Sequence, residues 1–215
     1  MVYDLYVITD TTVGGGRTHE EIARLAIEGG ADVIQLRDKI CSARDLVLAG
    51  RRIRELTRRT GTPFIVNDRL DVALACGADG VHLGQDDLPV ASARAIVPSG
   101  FVIGVSVGSA QEAVQAEHDG ADYIAASPVF LTAQKTDAEA FCGLEGLRRI
   151  RGVATVPLIA IGGIGINNVQ EVMNAGADGI AVISAVVAQP DIARAARQLK
   201  QRILECKQGR HVQHR

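Results

Sequence analysis

Gly30-Ala31-Asp32-Val33-Ile34 is the stretch on which the reading of this sequence turns, because the chain repeats it. It returns as Gly77-Ala78-Asp79-Gly80-Val81, as Gly120-Ala121-Asp122-Tyr123-Ile124 and as Gly176-Ala177-Asp178-Gly179-Ile180. Each copy closes an Ala-rich amphipathic stretch and opens a short apolar run. The glycine suits the end of a helix, where the backbone turns left-handed and a Cβ would be penalised. The run after it reads as a strand covered on both faces.

Between the copies lies a second set of β-like runs, at 5–9, 64–67, 102–107 and 158–162. Interleaved with runs at 33–37, 80–83, 123–126 and 179–183, they give eight strands. The helical patterns that follow them include those at 20–28, 43–59, 111–118, 168–174 and 192–204. Strict alternation of this kind demands parallel strands joined by right-handed crossovers. The expectation is an α/β fold, a single-domain (β/α)8 TIM barrel over residues 1–208. A doubly wound open sheet uses the same alternation, but the same phrase before every second strand favours a closed ring. The polar segment 209–215, without periodicity, is expected to fray.

Composition narrows the function classes. A chain of 215 residues suits one domain, and 47% hydrophobic with 22% charged residues is enough for a core and unlike a disordered chain. Aromatics are 3% with no Trp, so the core is Ala, Val, Ile and Leu, poor material for a base-stacking nucleic-acid surface. A net charge of −2 argues against general polyanion binding while allowing a local basic cluster. Cys41, Cys76, Cys142 and Cys206 form no CxxC pair and no zinc spacing, and read as free thiols of a reducing cytosol. The first ten residues lack the basic start and apolar run of a signal peptide. Every apolar run falls short of the roughly 20 residues that cross a bilayer. A cytoplasmic protein with small-molecule partners, no nucleic acid and no membrane is expected, and a homo-oligomer is left open.

A barrel gathers the C-terminal ends of its strands on one rim, so polar residues far apart in sequence become neighbours. Gln35, Arg37 and Lys39 alternate, which in extended chain directs them to one side. Together they offer an amide, a guanidinium fork and an ammonium to a diphosphate. The plainer reading makes Asp38 and Lys39 solvated loop charges and gives Arg37 an internal ion pair. Asn67 and Asp68 end the third strand, and Asp86 and Asp87 follow the fourth. Such carboxylates suit a magnesium ion, which takes one or two of them with waters and phosphate oxygens. They also suit helix caps near Leu70 and Pro89. His82, inside its strand, reads as a hydrogen-bonded structural histidine rather than a base.

The fifth strand ends in Gly104-Val105-Ser106. After the sixth, an unusually long connection reaches to about Gly143 and carries Thr132, Ala133, Gln134 and Lys135, suited to closing over an anion. Gly162-Gly163 and Ile183-Ser184 end the last two strands, where barrels often hold phosphate on backbone N–H groups. A tight turn and a serine cap are the alternatives there.

Taken in order, these segments resemble the thiamine phosphate synthase family over nearly the whole chain. The resemblance runs from Leu5-Tyr6-Val7-Ile8-Thr9-Asp10 through Gln35-Leu36-Arg37-Asp38-Lys39 and Asn67-Asp68-Arg69-Leu70-Asp71. It continues in Gly80-Val81-His82-Leu83-Gly84-Gln85-Asp86-Asp87, Gly104-Val105-Ser106-Val107, Pro128-Val129-Phe130, Gly162-Gly163 and Val182-Ile183-Ser184-Ala185. It implies transfer of a hydroxymethylpyrimidine group from its diphosphate to the nitrogen of a hydroxyethylthiazole phosphate, with Mg²⁺ on Asp68 and Asp87. Gln35, Arg37, Lys39, Asn67 and Lys135 are then expected to hold the pyrimidine diphosphate, with Ser106 near the pyrimidine. Of these, Arg37, Lys39, Lys135 and Ser106 would act on the reacting atoms. Thr132, Ala133, Gln134, Gly163, Ile183 and Ser184 are expected around the thiazole phosphate.

The sixth loop departs from the family pattern Gly-Pro-Val-Phe-Pro-Thr-x-Thr-Lys. Ser127 replaces the first Gly, Leu131 the second Pro, and Gln134 the second Thr, while Lys135 is kept. A thiazole tautomerase on a similar barrel is the nearest rival, but its proton-transfer His would stand where Ser127-Pro128 stands here. A non-catalytic phosphate-binding barrel is the other alternative.

Overall fold

The four glycines of the repeated phrase all occupy left-handed backbone, with φ of 94° at Gly30, 70° at Gly77, 100° at Gly120 and 110° at Gly176. Each ends a helix where the next strand begins, as the phrase requires. The computed structural model describes residues 3–130 and 141–213, without the side chains of 210–213. The first half contains β1 (Leu5–Thr9), α1 (His19–Glu28), β2 (Val33–Leu36), α2 (Ala43–Thr60), β3 (Phe64–Asn67), α3 (Leu70–Cys76), β4 (Gly80–Leu83) and α4 (Val90–Ile96). The second contains β5 (Val102–Val107), α5 (Ala110–His118), β6 (Tyr123–Ala126), α6 (Gly143–Val153), β7 (Leu158–Ile161), α7 (Val169–Asn174), β8 (Gly179–Val182), α8 (Ser184–Val187) and α9 (Ile192–Gln213).

The strands form a closed parallel barrel, because β1 pairs with β2 on one side and with β8 on the other. That closure excludes the open sheet. Three strands stop one residue short of the sequence reading, each for a local reason. Arg37 turns its N–H to the Thr9 hydroxyl, Gly162 takes φ 106°, and Ile183 becomes the N-cap of α8. The last helix is longer than its pattern suggested and runs on to Gln213. Among the described residues no helix is long and apolar enough to cross a membrane.

Strand alternation divides the apolar residues between two layers. Val7, Ile34, Val66 and Ile103 face the helices, where each buried side chain of this size stabilises the fold by about 1.5–3 kcal/mol. Tyr6, Ile8, Ile65, Tyr123 and Ile159 fill the barrel interior. Interior glycines Gly80, Gly104 and Gly179 are dictated by close approach. A Cβ on Gly104 would lie 1.9 Å from Tyr123 Cζ, and one on Gly179 would lie 1.5 Å from the Tyr3 carbonyl oxygen.

The aspartates of the repeated phrase build the lower end of the barrel. Asp32 accepts the Leu5 N–H at 2.8 Å, Asp79 that of Phe64 at 2.9 Å, Asp122 that of Ile103 at 2.7 Å and Asp178 that of Leu158 at 2.8 Å. Each thus satisfies an N–H at the start of an odd-numbered strand, which has no ladder partner there. Each carboxylate also holds a cation from the helix before that strand. The partners are Lys200 for Asp32, Arg54 for Asp79, Arg94 for Asp122 and Arg151 for Asp178.

Candidate active site

The same alternation that fills the interior sends a second set of residues to its upper end. Gln35 and Arg37 from the β2 edge, Asn67 from β3, His82 from β4 and Ser106 from β5 line one cavity there. Ser127 joins them from the end of β6, Gly163 from the turn after β7, and Ile183 and Ser184 from the turn after β8. Every described substrate-contact candidate except Lys39 therefore shares this wall. Lys39 stands exposed on the loop beyond Arg37. Thr132, Ala133, Gln134 and Lys135 lie outside the described residues.

The loop after β2 is braced from behind. Asp38 accepts the N–H groups of Ile40 at 2.8 Å and Cys41 at 2.9 Å, and lies 3.2 Å from His19 Nε2. Burial works against its charge, but these donors win and hold the carboxyl well below the usual range. Asp38 is thus a structural brace rather than the solvated loop charge of the plainer reading. Arg37 does make an internal ion pair, with Asp10 at 3.2 Å, and it lines the cavity at the same time. The pair fixes the guanidinium in place while leaving further N–H donors on it.

Asp68 and Asp87 stand against each other beside this loop. Burial and the neighbouring Asp87 raise the Asp68 carboxyl from 3.8 to about 6, with Lys39 and Arg37 pulling it partly back. The backbone at Asp68 is strained, with φ 60° on a residue that has a Cβ. It is clamped there because its N–H donates to the His82 carbonyl at 2.8 Å. Helix capping does not account for either carboxylate. Neither α3 nor α4 has a side-chain cap, and Asp87 instead accepts the Gly84 N–H at 2.7 Å.

A buried polar chain crosses the barrel beneath the cavity. Gln35 Nε2 donates to Tyr6 Oη at 2.8 Å, and the hydroxyls of Tyr6 and Tyr123 are 2.9 Å apart. Tyr123 Oη lies 2.9 Å from His82 Nδ1, and His82 Nε2 lies 2.9 Å from Ser106 Oγ. His82 is hydrogen-bonded through both ring nitrogens, as its position inside a strand implied. Sequence reasoning missed Tyr6 and Tyr123 as part of the site. The available signal was Gly104, whose missing side chain leaves room for the ring of Tyr123, its register partner on the neighbouring strand.

The opposite side of the cavity is backbone-rich. Gly162 and Gly163 both have positive φ, and Asn168 pins the turn by donating to the Gly163 carbonyl and accepting from the Gly165 N–H. Ser184 is not a side-chain cap, since it opens α8 with Ile183 as the N-cap.

Fold and rim together define a (β/α)8 barrel with a polar cavity at the C-terminal ends of its strands, the place where barrel enzymes work. Residues 5–186 match the model of the family described as thiamine monophosphate synthase, and the chain belongs to that family. The thiamine-phosphate synthase of Methanoregula boonei is 63% identical over 208 residues, covering 97% of this chain and 96% of its own. That of Moorella thermoacetica is 53% identical over 199 residues, covering 93% and 95%. The solved structure described as thiamine phosphate pyrophosphorylase from Pyrococcus furiosus superposes with a TM-score of 0.88 at 45% identity, over 95% of this chain and 96% of that one. The resemblance read from separate motifs therefore holds at the level of the family.

Proposed function

We propose that the chain is a pyrophosphate-releasing transferase. It joins 4-amino-2-methyl-5-hydroxymethylpyrimidine diphosphate to 4-methyl-5-hydroxyethylthiazole phosphate, giving thiamine phosphate. The observation that carries this reading is the single cavity lined both by Gln35, Arg37, Asn67 and Ser106 and by Gly163, Ile183 and Ser184. The first group suits a heteroaromatic ring with a diphosphate, and the second suits a phosphate held on backbone N–H groups.

The reaction breaks the bond between the pyrimidine methylene carbon and a diphosphate oxygen, with the electron pair leaving on pyrophosphate. The thiazole nitrogen supplies the pair for the new C–N bond. The aminopyrimidine ring can carry the positive charge that develops between the two events, so the displacement is dissociative. No nucleophilic side chain and no general base at carbon is needed, and positioning with electrostatics does the chemistry. In this reading Arg37 and Lys39, with Lys135 and Asn67, hold the departing diphosphate. Gln35 and Ser106 fix the pyrimidine ring. Thr132, Ala133, Gln134, Gly163, Ile183 and Ser184 surround the thiazole phosphate.

Asp68 and Asp87 would hold Mg²⁺. Their fit rests on two carboxylates held together at the cost of a raised pKa and a strained backbone, with neither used as a cap. When bound, the ion supplies positive charge to diphosphate oxygens and so eases their departure. Four cysteines without a disulfide support a reducing cytoplasm as the place of work.

The test is pyrophosphate release with both substrates and Mg²⁺, and again with each one left out. Release that needs all three, matched by thiamine phosphate, supports the reading. Turnover without the pyrimidine diphosphate, or thiazole isomerisation alone, would sink it.

A further inference from the structure

The buried chain from Gln35 to Ser106 has a direction. A hydroxyl or a neutral imidazole can run a hydrogen bond either way, so direction is set by an end that only donates. Gln35 Nε2 is that end. Among the described residues Tyr6 Oη meets Gln35 and Tyr123, so with one N–H arriving from Gln35 its own hydrogen goes to Tyr123. The Tyr123 hydrogen then goes to His82 Nδ1, which must be bare to accept it. The imidazole proton is left on Nε2, where it donates to Ser106 Oγ. The Ser106 hydrogen cannot point back at a donor, and Ser106 lines the cavity. Burial pushes both phenols well above their ordinary range, so neither loses the hydrogen that the sequence of bonds requires.

We propose that Gln35, Tyr6, Tyr123 and His82 form a positioning chain that presets Ser106 as a hydrogen-bond donor into the cavity. Ser106 then selects an acceptor atom of the bound pyrimidine diphosphate and disfavours a donor such as an amino group at that point. The identity of the ligand rests on the transferase reading, whereas the direction of the chain rests on the Gln35 amide nitrogen facing Tyr6 Oη. Tyr6 and Tyr123 touch no reacting atom in this scheme and act only through His82 and Ser106.

Two experiments test it. The first is NMR of the histidine ring nitrogens in the ligand-free protein, with the His82 signals assigned by their loss in His82→Gln. The expected result is a bare Nδ1 and a protonated Nε2, and a protonated Nδ1 overturns the proposal. This measurement needs no turnover, so it fails separately from the transferase reading, which fails if the wild-type protein releases no pyrophosphate.

The second is a double-mutant cycle. Tyr6→Phe removes the directional contact without touching Ser106. It is expected to lower kcat/KM for the pyrimidine diphosphate about tenfold, the equivalent of one hydrogen bond. In a Ser106→Ala background the same change is expected to cost less than about twofold, because its effect passes through that hydroxyl. Equal losses in both backgrounds overturn the proposal and leave Tyr6 a packing residue. Should Tyr6→Phe fail to fold, Tyr123→Phe closes the same cycle, and the wild-type spectrum decides without either variant.

Discussion

Both ends of the barrel are built with aspartate, and they use it in opposite ways. At the lower end Asp32, Asp79, Asp122 and Asp178 each meet a strand N–H and a cation from a neighbouring helix. Each carboxylate is matched in charge and hydrogen-bonded within the protein, and the arrangement is copied four times around the ring, with Arg54 Nε the one buried side-chain polar atom left unpartnered among the described residues. At the upper end Asp68 and Asp87 face one another, and among the described residues neither forms an ion pair. Asp68 is also held in left-handed backbone. The first set lowers the free energy of the fold by itself. The second keeps the cost of two facing carboxylates and a strained backbone, which under the proposed function a bound cation would relieve.

The sharpest way to break this contrast is to remove the upper pair. Asp68→Ala with Asp87→Ala is expected to lower Mg²⁺-dependent pyrophosphate release about a hundredfold or more. The urea midpoint without metal should change little, because relief of the Asp68–Asp87 repulsion offsets the lost Asp87 bond to the Gly84 N–H, and a variant that keeps its turnover would refute the metal assignment.

At the other end the pattern should invert. Asp122→Ala removes the bond to the Ile103 N–H and leaves Arg94 without its carboxylate. A loss of about 1–3 kcal/mol in urea unfolding is expected, with kcat of the folded enzyme unchanged. Similar losses in kcat for both rims would erase the distinction.

The pH dependence of the upper pair sharpens it further. The folded Asp68 carboxyl titrates near 6 rather than 3.8, so the folded state holds this proton more tightly than the unfolded state does. Its contribution to stability is full below 3.8 and is lost as pH rises through about 6. Mg²⁺ competes with that proton, so its apparent affinity should drop about tenfold between pH 7 and pH 5, as calorimetric titration would register. An affinity independent of pH over this range would contradict the role given to Asp68.

The smallest expected effect is also the most specific. Asp68→Gly relieves the left-handed strain and should raise the metal-free stability by about 1 kcal/mol while abolishing the metal response. A stability loss in this variant would show that the Asp68 conformation carries no strain.

These differences explain what the sequence disclosed. The barrel was legible because the lower rim repeats, and a repeated Gly-Ala-Asp leaves a period that the eye can follow. The phrase marked helix ends correctly, yet its aspartate gave no hint of its work, because the partners Lys200, Arg54, Arg94 and Arg151 sit on helices outside the phrase. At the upper rim Arg37, Asn67, Ser106 and Ser184 were legible as polar residues at strand ends. Tyr6 and Tyr123 were not, since an aromatic inside an apolar strand looks like core until its register partner on the neighbouring strand is known. The capping alternatives for Asp68 and Asp87 stood open in the sequence because cap geometry depends on backbone angles that residue type does not fix.

The lower ring has one further consequence, for the connectivity of the chain. Each aspartate bridges the two strands of its own quarter and takes its cation from the quarter before, and Lys200 on the last helix serves the first quarter in the same way. The seam between α9 and β1 is therefore closed like the other three. A circular permutant opened in the exposed turn at Gly61, with α9 joined to β1 by a flexible linker, would keep all four pairs and should fold to the same barrel by circular dichroism and cooperative melting. Loss of folding in that permutant would mean that the order of synthesis matters to this ring. Its folding would mean that the barrel has no preferred beginning.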